Sequence, residues 1–333
     1  MPSPFRHTTP PPPKSATGVT EAVYAQLAED FGIERAVTFV VLSSAPEIMA
    51  AAWALMRESL IAGDGDRTGK ELAALGASQA NRCPFCVDAH TMLLHATGDH
   101  SLAEAMVRGE TPADERHARV LAWGRASRTP GAAELTPYPF PVGHAPAYIG
   151  TVLSFHFINR IVSSLLTENL LPGNIQRFRA VRSLAGRSVA RTVRRRPPAG
   201  AGLILLDDPG PGPDWAQGTT VGPAYAALRD AATAGAGLLD EGDRNLVRET
   251  LQTWDGTHPP LSWGALPDRS RPGARLALLA ALAPYRITDE DVRAWRKPNH
   301  TDHCLVHLVA YGAFAAVDRI ESALPVRTVK ETS

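Results

Sequence analysis

Helix-start signals recur along this chain, and they restrict its fold more than any other feature. Ser44-Ala45-Pro46-Glu47, Thr68-Gly69-Lys70-Glu71, Ser101-Leu102-Ala103-Glu104, Thr111-Pro112-Ala113-Asp114 and Thr288-Asp289-Glu290-Asp291 all place a hydroxyl three residues ahead of a carboxylate. That is the capping-box spacing, in which the hydroxyl accepts from an early amide and the acid reaches back. Each signal precedes a stretch rich in Ala and Leu, both strong helix formers. Alternating strand patterns are scarce, and Gly202-Leu203-Ile204-Leu205-Leu206 is the main exception. The expectation is an all-α chain with connections rich in Gly and Pro.

The 333 residues suggest roughly two domains and are enough for a sizeable core. With 44% hydrophobic and 20% charged residues, wholesale disorder and collagen-like structure are excluded. Lys and Arg balance Asp and Glu at 34 each, so no global field points to nucleic acid or an anionic membrane. The start, MPSPFRHTTPPPPKS, has no apolar segment of the signal-peptide kind. Its prolines favour extended polyproline II, and residues 1–18 read as a disordered tail. The longest apolar run, Ala145 to Leu171, carries His156, Asn159, Arg160 and Glu168, which favours a buried helix over a membrane span.

The charge balance conceals one basic segment. Gln176 to Arg196 holds eight arginines and no acid, leaving 26 bases against 34 acids elsewhere. It reads as a solvated helix docking on acidic surface of its own protein. Nucleic acid is a weaker reading, because no aromatic interleaving accompanies the arginines. Pro197 to Gly218 reads as a linker. Phe155-His156-Phe157-Ile158-Asn159-Arg160-Ile161-Val162-Ser163-Ser164-Leu165-Leu166 is echoed by Phe314-Ala315-Ala316-Val317-Asp318-Arg319-Ile320-Glu321-Ser322-Ala323-Leu324-Pro325, and Asp66-Arg67 before Glu71 more loosely by Asp243-Arg244 before Glu249. Chance likeness of two amphipathic helices explains this, or else two diverged copies of one unit. The expected organisation is a tail at 1–18, a helical domain at 19–175, a basic segment and linker at 176–218, a degenerate second repeat at 219–326, and a tail at 327–333.

The chemistry is concentrated between Glu71 and His90. Three cysteines are too few for a disulfide scaffold, and two stand as Cys83-Pro84-Phe85-Cys86. In a reducing, cytoplasmic setting this reads as a redox or metal site. Pro84 suits the first position of a helix, which makes Cys83 its N-cap. Cys86 and His90 then follow on the same face. The cysteine Cβ atoms would lie about 5–6 Å apart, near what a disulfide needs. A helix N-terminus favours a thiolate, and His90 can exchange a proton near neutral pH. If the preceding helix packs antiparallel, Glu71 reaches His90. The same residues leave other readings open: Glu71 as a capping-box acid, His90 as a core histidine, or Cys83, Cys86 and His90 as three zinc ligands lacking a fourth. His300, His303 and His307 form a second cluster around Cys304, and His303 and His307 have metal-binding spacing. No acidic third ligand accompanies them in a recognised pattern, so helix packing around one buried cysteine is expected.

Glu71 followed by Cys83, Cys86 and His90 resembles the AhpD-like alkylhydroperoxidase group within the carboxymuconolactone decarboxylase family. Pro46-Glu47-Ile48 with Trp53 upstream, Arg82-Cys83-Pro84-Phe85-Cys86-Val87-Asp88-Ala89-His90, and Phe157-Ile158-Asn159-Arg160 downstream fit it too. The resemblance spans roughly residues 25–170. It implies an AhpD-like helical bundle, in a tandem pair with a degenerate second copy, and a homo-oligomer. It also implies a thiol-dependent peroxidase acting on organic hydroperoxides and recharged by a dithiol or lipoyl-carrying protein, with no cofactor. By that resemblance Cys86 is the peroxidatic thiol, Cys83 resolves it, His90 assists deprotonation and Glu71 holds the relay. Phe85 stands where some relatives carry a histidine. Positions 261–264, Leu-Ser-Trp-Gly, hold no second cysteine pair, and decarboxylation is not expected. A non-catalytic redox sensor whose cysteines switch assembly, or a zinc-stabilised module, are the alternatives.

Overall fold

A computed structural model describes residues 3–168 and 179–325, leaving out the side chains of 179–183. The expected tail at 327–333 and the domain end at 169–175 lie outside the described residues. The architecture is an all-α bundle. Its helices are α1 (Gly18–Gln26), α2 (Val37–Leu42), α3 (Pro46–Met56), α4 (Arg67–Ala80), α5 (Pro84–Thr97), α6 (His100–Val107), α7 (Glu115–Ala126), α8 (Ala145–Leu165), α9 (Arg179–Val193), α10 (Val221–Thr233), α11 (Glu241–Gln252), α12 (Pro272–Leu282), α13 (Asp289–Trp295) and α14 (Asp302–Glu321). Among the described residues β structure is confined to one isolated bridge, Phe5 to Leu166.

The helices begin near the expected signals, but aspartates do most of the capping. Thr288 and Asp291 close a full capping box on α13. On α4 the cap is Asp66, which accepts from the amides of Thr68 and Gly69. Asp99 caps α6 and Asp114 caps α7. A carboxylate at the N-cap satisfies orphan amides and meets the positive end of the helix dipole. The earlier start of α4 leaves Glu71 outside any capping box. It also removes the proposed echo of Asp66 in Asp243: Asp66 caps α4, whereas Asp243 lies inside α11, capped by Asp240.

One apolar cluster runs from Val23 to Leu324, so the two halves share a core. The centre is α8, buried along nearly its whole length. It packs against α3 and α4 on one side and α14 on the other. Phe157 of α8 meets Phe314 of α14 edge-on at 6.3 Å. No helix among the described residues is long and apolar enough to cross a membrane. Helices α4 and α7 cross closely, with Gly76 and Gly124 interlocked. A Cβ at Gly76 would come within 2.5 Å of the Leu121 carbonyl, and one at Gly124 would strike the Ala73 carbonyl. Both obstacles are backbone and cannot swing away. Gly124→Val is therefore expected to cost about 3 kcal/mol, seen as a lower denaturation midpoint with unchanged slope.

Three segments differ from expectation. The proline-rich start is not a free tail where it is described, because it straddles both halves. The Arg6 amide donates to the Leu165 carbonyl at 2.8 Å, its guanidinium donates to the Ile287 carbonyl at 2.6 Å, and the Thr9 amide donates to Asp302 at 2.7 Å. Leu203–Leu205 is a 3-10 turn instead of a strand. The Glu58 carboxylate accepts from the amides of Gly200 and Gly202 at 2.7 and 2.9 Å, which occupies donors a ladder would need. Buried Arg57 completes this clamp, pairing with Asp30 and Glu58 at 2.7 and 2.6 Å. Helix α9 lies on α5, with Val189 and Val193 packed against Leu93 and Ala96. Beyond its end, Arg194 donates to the Ala96 carbonyl, Arg195 to Asp30 and Arg196 to Asp64.

Candidate active site

The turn from α4 into α5 positions the cysteines. Asn81 ends α4 and Arg82 adopts a left-handed φ of 54°. That conformation, unusual outside glycine, reverses the chain. The Cys83 amide then donates to the Ser78 carbonyl at 3.0 Å. Cys83 becomes the N-cap of α5 with Pro84 at the first helical position. Cys86 follows one turn in. The two sulfurs are unbonded thiols 2.7 Å apart, both buried.

His90 lies one further turn along α5 and meets Glu71 across the α4–α5 interface. Its Nδ1 is 2.7 Å from Glu71 Oε2, and Arg67 Nε donates to Glu71 Oε1 at 2.8 Å. Burial pushes the Glu71 carboxyl up, but the Arg67 charge and the His90 bond outweigh it and hold Glu71 below its usual range. An ionised Glu71 accepts the Nδ1 proton. The other ring nitrogen, Nε2, is buried and without a hydrogen-bond partner. Phe155 holds the ring from the side, centroid to centroid at 4.2 Å. All four expected residues, Glu71, Cys83, Cys86 and His90, are thus brought together on two adjacent helices.

Burial, which helix position does not reveal, acts strongly on Cys86. Burial pushes its thiol well above the ordinary range, and neighbouring Cys83 adds to the rise. A hydrogen bond with Asn159 pulls only partly back.

An apolar cavity of about 370 Å³ opens onto this site. Phe31, Phe39, Met56, Phe155 and Ile158 line it, and α9 closes one side through Ala185 and Val189. Cys86 and His90 reach its wall; Cys83 does not. The role of α9 as a cavity wall was not visible in its arginine-rich sequence. The apolar Ala185 and Val189, spaced one turn apart among the arginines, were the available signal.

Beneath the cysteines lies a buried polar network that sequence reasoning missed. Asn81 fills its whole hydrogen-bonding capacity. Its Oδ1 accepts from Arg128 at 2.7 Å and Arg160 at 3.3 Å, and its Nδ2 donates to His156 Nδ1 and Asn159 Oδ1, both at 2.9 Å. Ser127 donates to the Gly124 carbonyl, so its oxygen accepts from His156 Nε2 at 2.8 Å. This assigns His156 as the neutral Nε2–H tautomer. Burial, with Arg160 and Arg128 nearby, holds its basicity far below normal. The network extends into the second half: Arg128 donates to the Gly256 carbonyl at 2.7 Å, and His258 bonds the Ala80 carbonyl at 2.8 Å. Trp254 lies against the guanidinium groups of Arg128 and Arg160 at 5.0 and 5.8 Å. The turn that presents Cys83 is thereby tied to residues from both halves.

Comparison with known proteins identifies the family. The family model for the carboxymuconolactone decarboxylase family matches residues 46–128, which include α4, α5 and both cysteines. Over 326 residues the chain is 36% identical to a Mycobacterium tuberculosis (strain ATCC 25618 / H37Rv) protein named alkyl hydroperoxide reductase Rv2159c, covering 94% of this chain and 93% of that relative. With its all-α bundle and its paired cysteines at the start of α5, the chain belongs to the AhpD-like group of the carboxymuconolactone decarboxylase family.

Proposed function

We propose that this protein is a thiol-dependent peroxidase that reduces organic hydroperoxides through a Cys83–Cys86 dithiol–disulfide cycle. The carrying observation is the asymmetry of the cavity wall: Cys86 and His90 both line the cavity, and Cys83 does not. The apolar lining suits the alkyl part of a hydroperoxide.

Because burial disfavours the Cys86 thiolate, the proton leaves as the peroxide arrives, passing from Cys86 to His90 Nε2. Glu71 positions the ring, and Arg67 holds Glu71 in place as the ionised acceptor. The Cys86 sulfur attacks the nearer peroxide oxygen, the O–O bond breaks, and the alkoxide takes up the proton held by His90. The products are an alcohol and a Cys86 sulfenic acid. Cys83 then attacks the Cys86 sulfur; a disulfide forms and water leaves. Two exchanges with an external dithiol, on a small molecule or a lipoyl-carrying protein, return both thiols and leave that dithiol oxidised. A reducing cytoplasmic setting and a homo-oligomeric assembly belong to the same proposal.

The second half reads as a degenerate copy that scaffolds the first. The matched arginines of the sequence echo support this: Arg160 on α8 and Arg319 on α14 both converge on Trp254, one over its ring and one on its carbonyl.

Trapping the intermediate tests the cycle. Cys83→Ser, given one equivalent of an alkyl hydroperoxide, is expected to stop at the sulfenic acid, with Cys86 labelled by a sulfenate-selective carbon nucleophile. The wild-type chain is expected to proceed to the disulfide and escape labelling. A Cys83→Ser protein that leaves Cys86 unlabelled, or a wild type labelled equally, contradicts the resolving role.

A further inference from the structure

The cluster at the start of α14 gains a third member that lies far away in sequence. His303 and His307 stand one turn apart on α14, and Glu47 reaches them from the first turn of α3. Glu47 Oε1 is 2.9 Å from His303 Nε2 and 2.5 Å from His307 Nε2. The two rings lie 4.4 Å apart at 48°, so both nitrogens converge on one carboxylate oxygen. All three donor atoms lie within 4.8 Å of one another. His300 is not part of the group, since it stacks on Trp295 at 4.3 Å.

We propose that Glu47, His303 and His307 form a binding site for a divalent cation of the zinc class. The argument rests on donor chemistry and placement. Two imidazoles and one carboxylate are a set that zinc takes with a fourth position left to water. Helical i, i+4 spacing puts both histidines on one face. Bond lengths near 2.0–2.1 Å in a tetrahedron require donor separations of about 3.3 Å. The observed 2.5 and 2.9 Å need an opening of under about 1 Å, within reach of side-chain rotation.

Burial has the gradient such a site needs. The His307 side chain is 9% exposed, whereas Glu47 and His303 are 46% and 51% exposed. One ligand is anchored in the core, and the outer side is open for the cation to enter and for water to complete its shell. The site lies away from Cys86 and His90 and shares no residue with them. It joins α3 of the first half to α14 of the second, so a bound cation would clasp the two halves. Binding to the folded state alone would raise the melting temperature with cation concentration.

Cobalt(II) serves as the probe because its visible spectrum reports the ligands. Untagged, chelator-treated protein is titrated with Co2+ and then Zn2+. One equivalent is expected to bind with a dissociation constant below about 10 μM, giving a tetrahedral or five-coordinate visible spectrum without the near-ultraviolet thiolate band. Cys83→Ser/Cys86→Ser is expected to bind equally well, which separates this site from the cysteine pair. Glu47→Gln and His303→Ala replace exposed side chains and leave the fold to be checked by circular dichroism; each is expected to weaken binding at least tenfold. Absence of saturable binding, a thiolate band, or unchanged affinity in both variants overturns the proposal and leaves the cluster as an ion-paired contact.

Discussion

Cys86→Ser is expected to abolish peroxide turnover, lowering kcat/KM at least about 10³-fold while the helical circular dichroism stays that of the parent. Serine differs from cysteine by one atom and fits the same space. The cost to stability is that of burying a hydroxyl, about 1 kcal/mol. The chemical loss is far larger, because a hydroxyl in this buried position is a much poorer nucleophile toward peroxide oxygen. Cys304→Ser serves as the control. Cys304 is half-buried, receives a long hydrogen bond from Thr301 at 3.7 Å and does not line the cavity, so turnover should be unchanged. Kinetic assay of both variants with one alkyl hydroperoxide and one dithiol decides the matter. Turnover persisting in Cys86→Ser would remove the attacking role from this residue.

The largest stability effect is expected at Asn81. Asn81→Leu keeps the branched shape and the number of side-chain heavy atoms, is bulkier, and offers no polar atom. It would leave the facing atoms of Arg128, Arg160, His156 and Asn159 without their partner, all of them in buried surroundings. Arg160 already has one buried nitrogen without a partner, and burial pulls both guanidinium groups below their usual basicity. Removing the shared acceptor is expected to cost about 4 kcal/mol in chemical denaturation. Asn81→Asp separates the two functions of the amide. It keeps the acceptor, adds a charge facing two arginines, and loses the donor to His156 and Asn159. Its cost should be clearly smaller than that of Asn81→Leu. Equal stability of Asn81→Leu and the parent would show that the network contributes little. Because Asn81 precedes the turn that carries Cys83, the leucine variant should also slow disulfide formation.

The legible part of this protein was local. Cys83 as a helix cap, Pro84 at the first position, and Cys86 and His90 on one face all follow from helical periodicity within eight residues. The meeting of Glu71 with His90 needed one further assumption, antiparallel packing of neighbouring helices. The rest depended on contacts between distant positions. Asn81 meets Arg128 and Asn159 across 47 and 78 residues, and Glu47 meets His307 across 260. No spacing rule reaches that far. The Cys86 environment was misjudged for a related reason. Helix position is read from sequence, whereas depth of burial depends on what packs on top, here including Phe85, Phe155 and α9. The N-terminal prolines were misread because composition describes a segment alone, and this one is held by carbonyl groups of both halves.

The most direct test of the peroxidase reading is peptide mass mapping of the reduced, metal-free protein after one equivalent of an organic hydroperoxide. The expected result is rapid loss of two hydrogens in the peptide holding Cys83 and Cys86, with Cys304 untouched. Failure of that peptide to react, or equal oxidation of all three cysteines, would contradict a dithiol–disulfide cycle at this site.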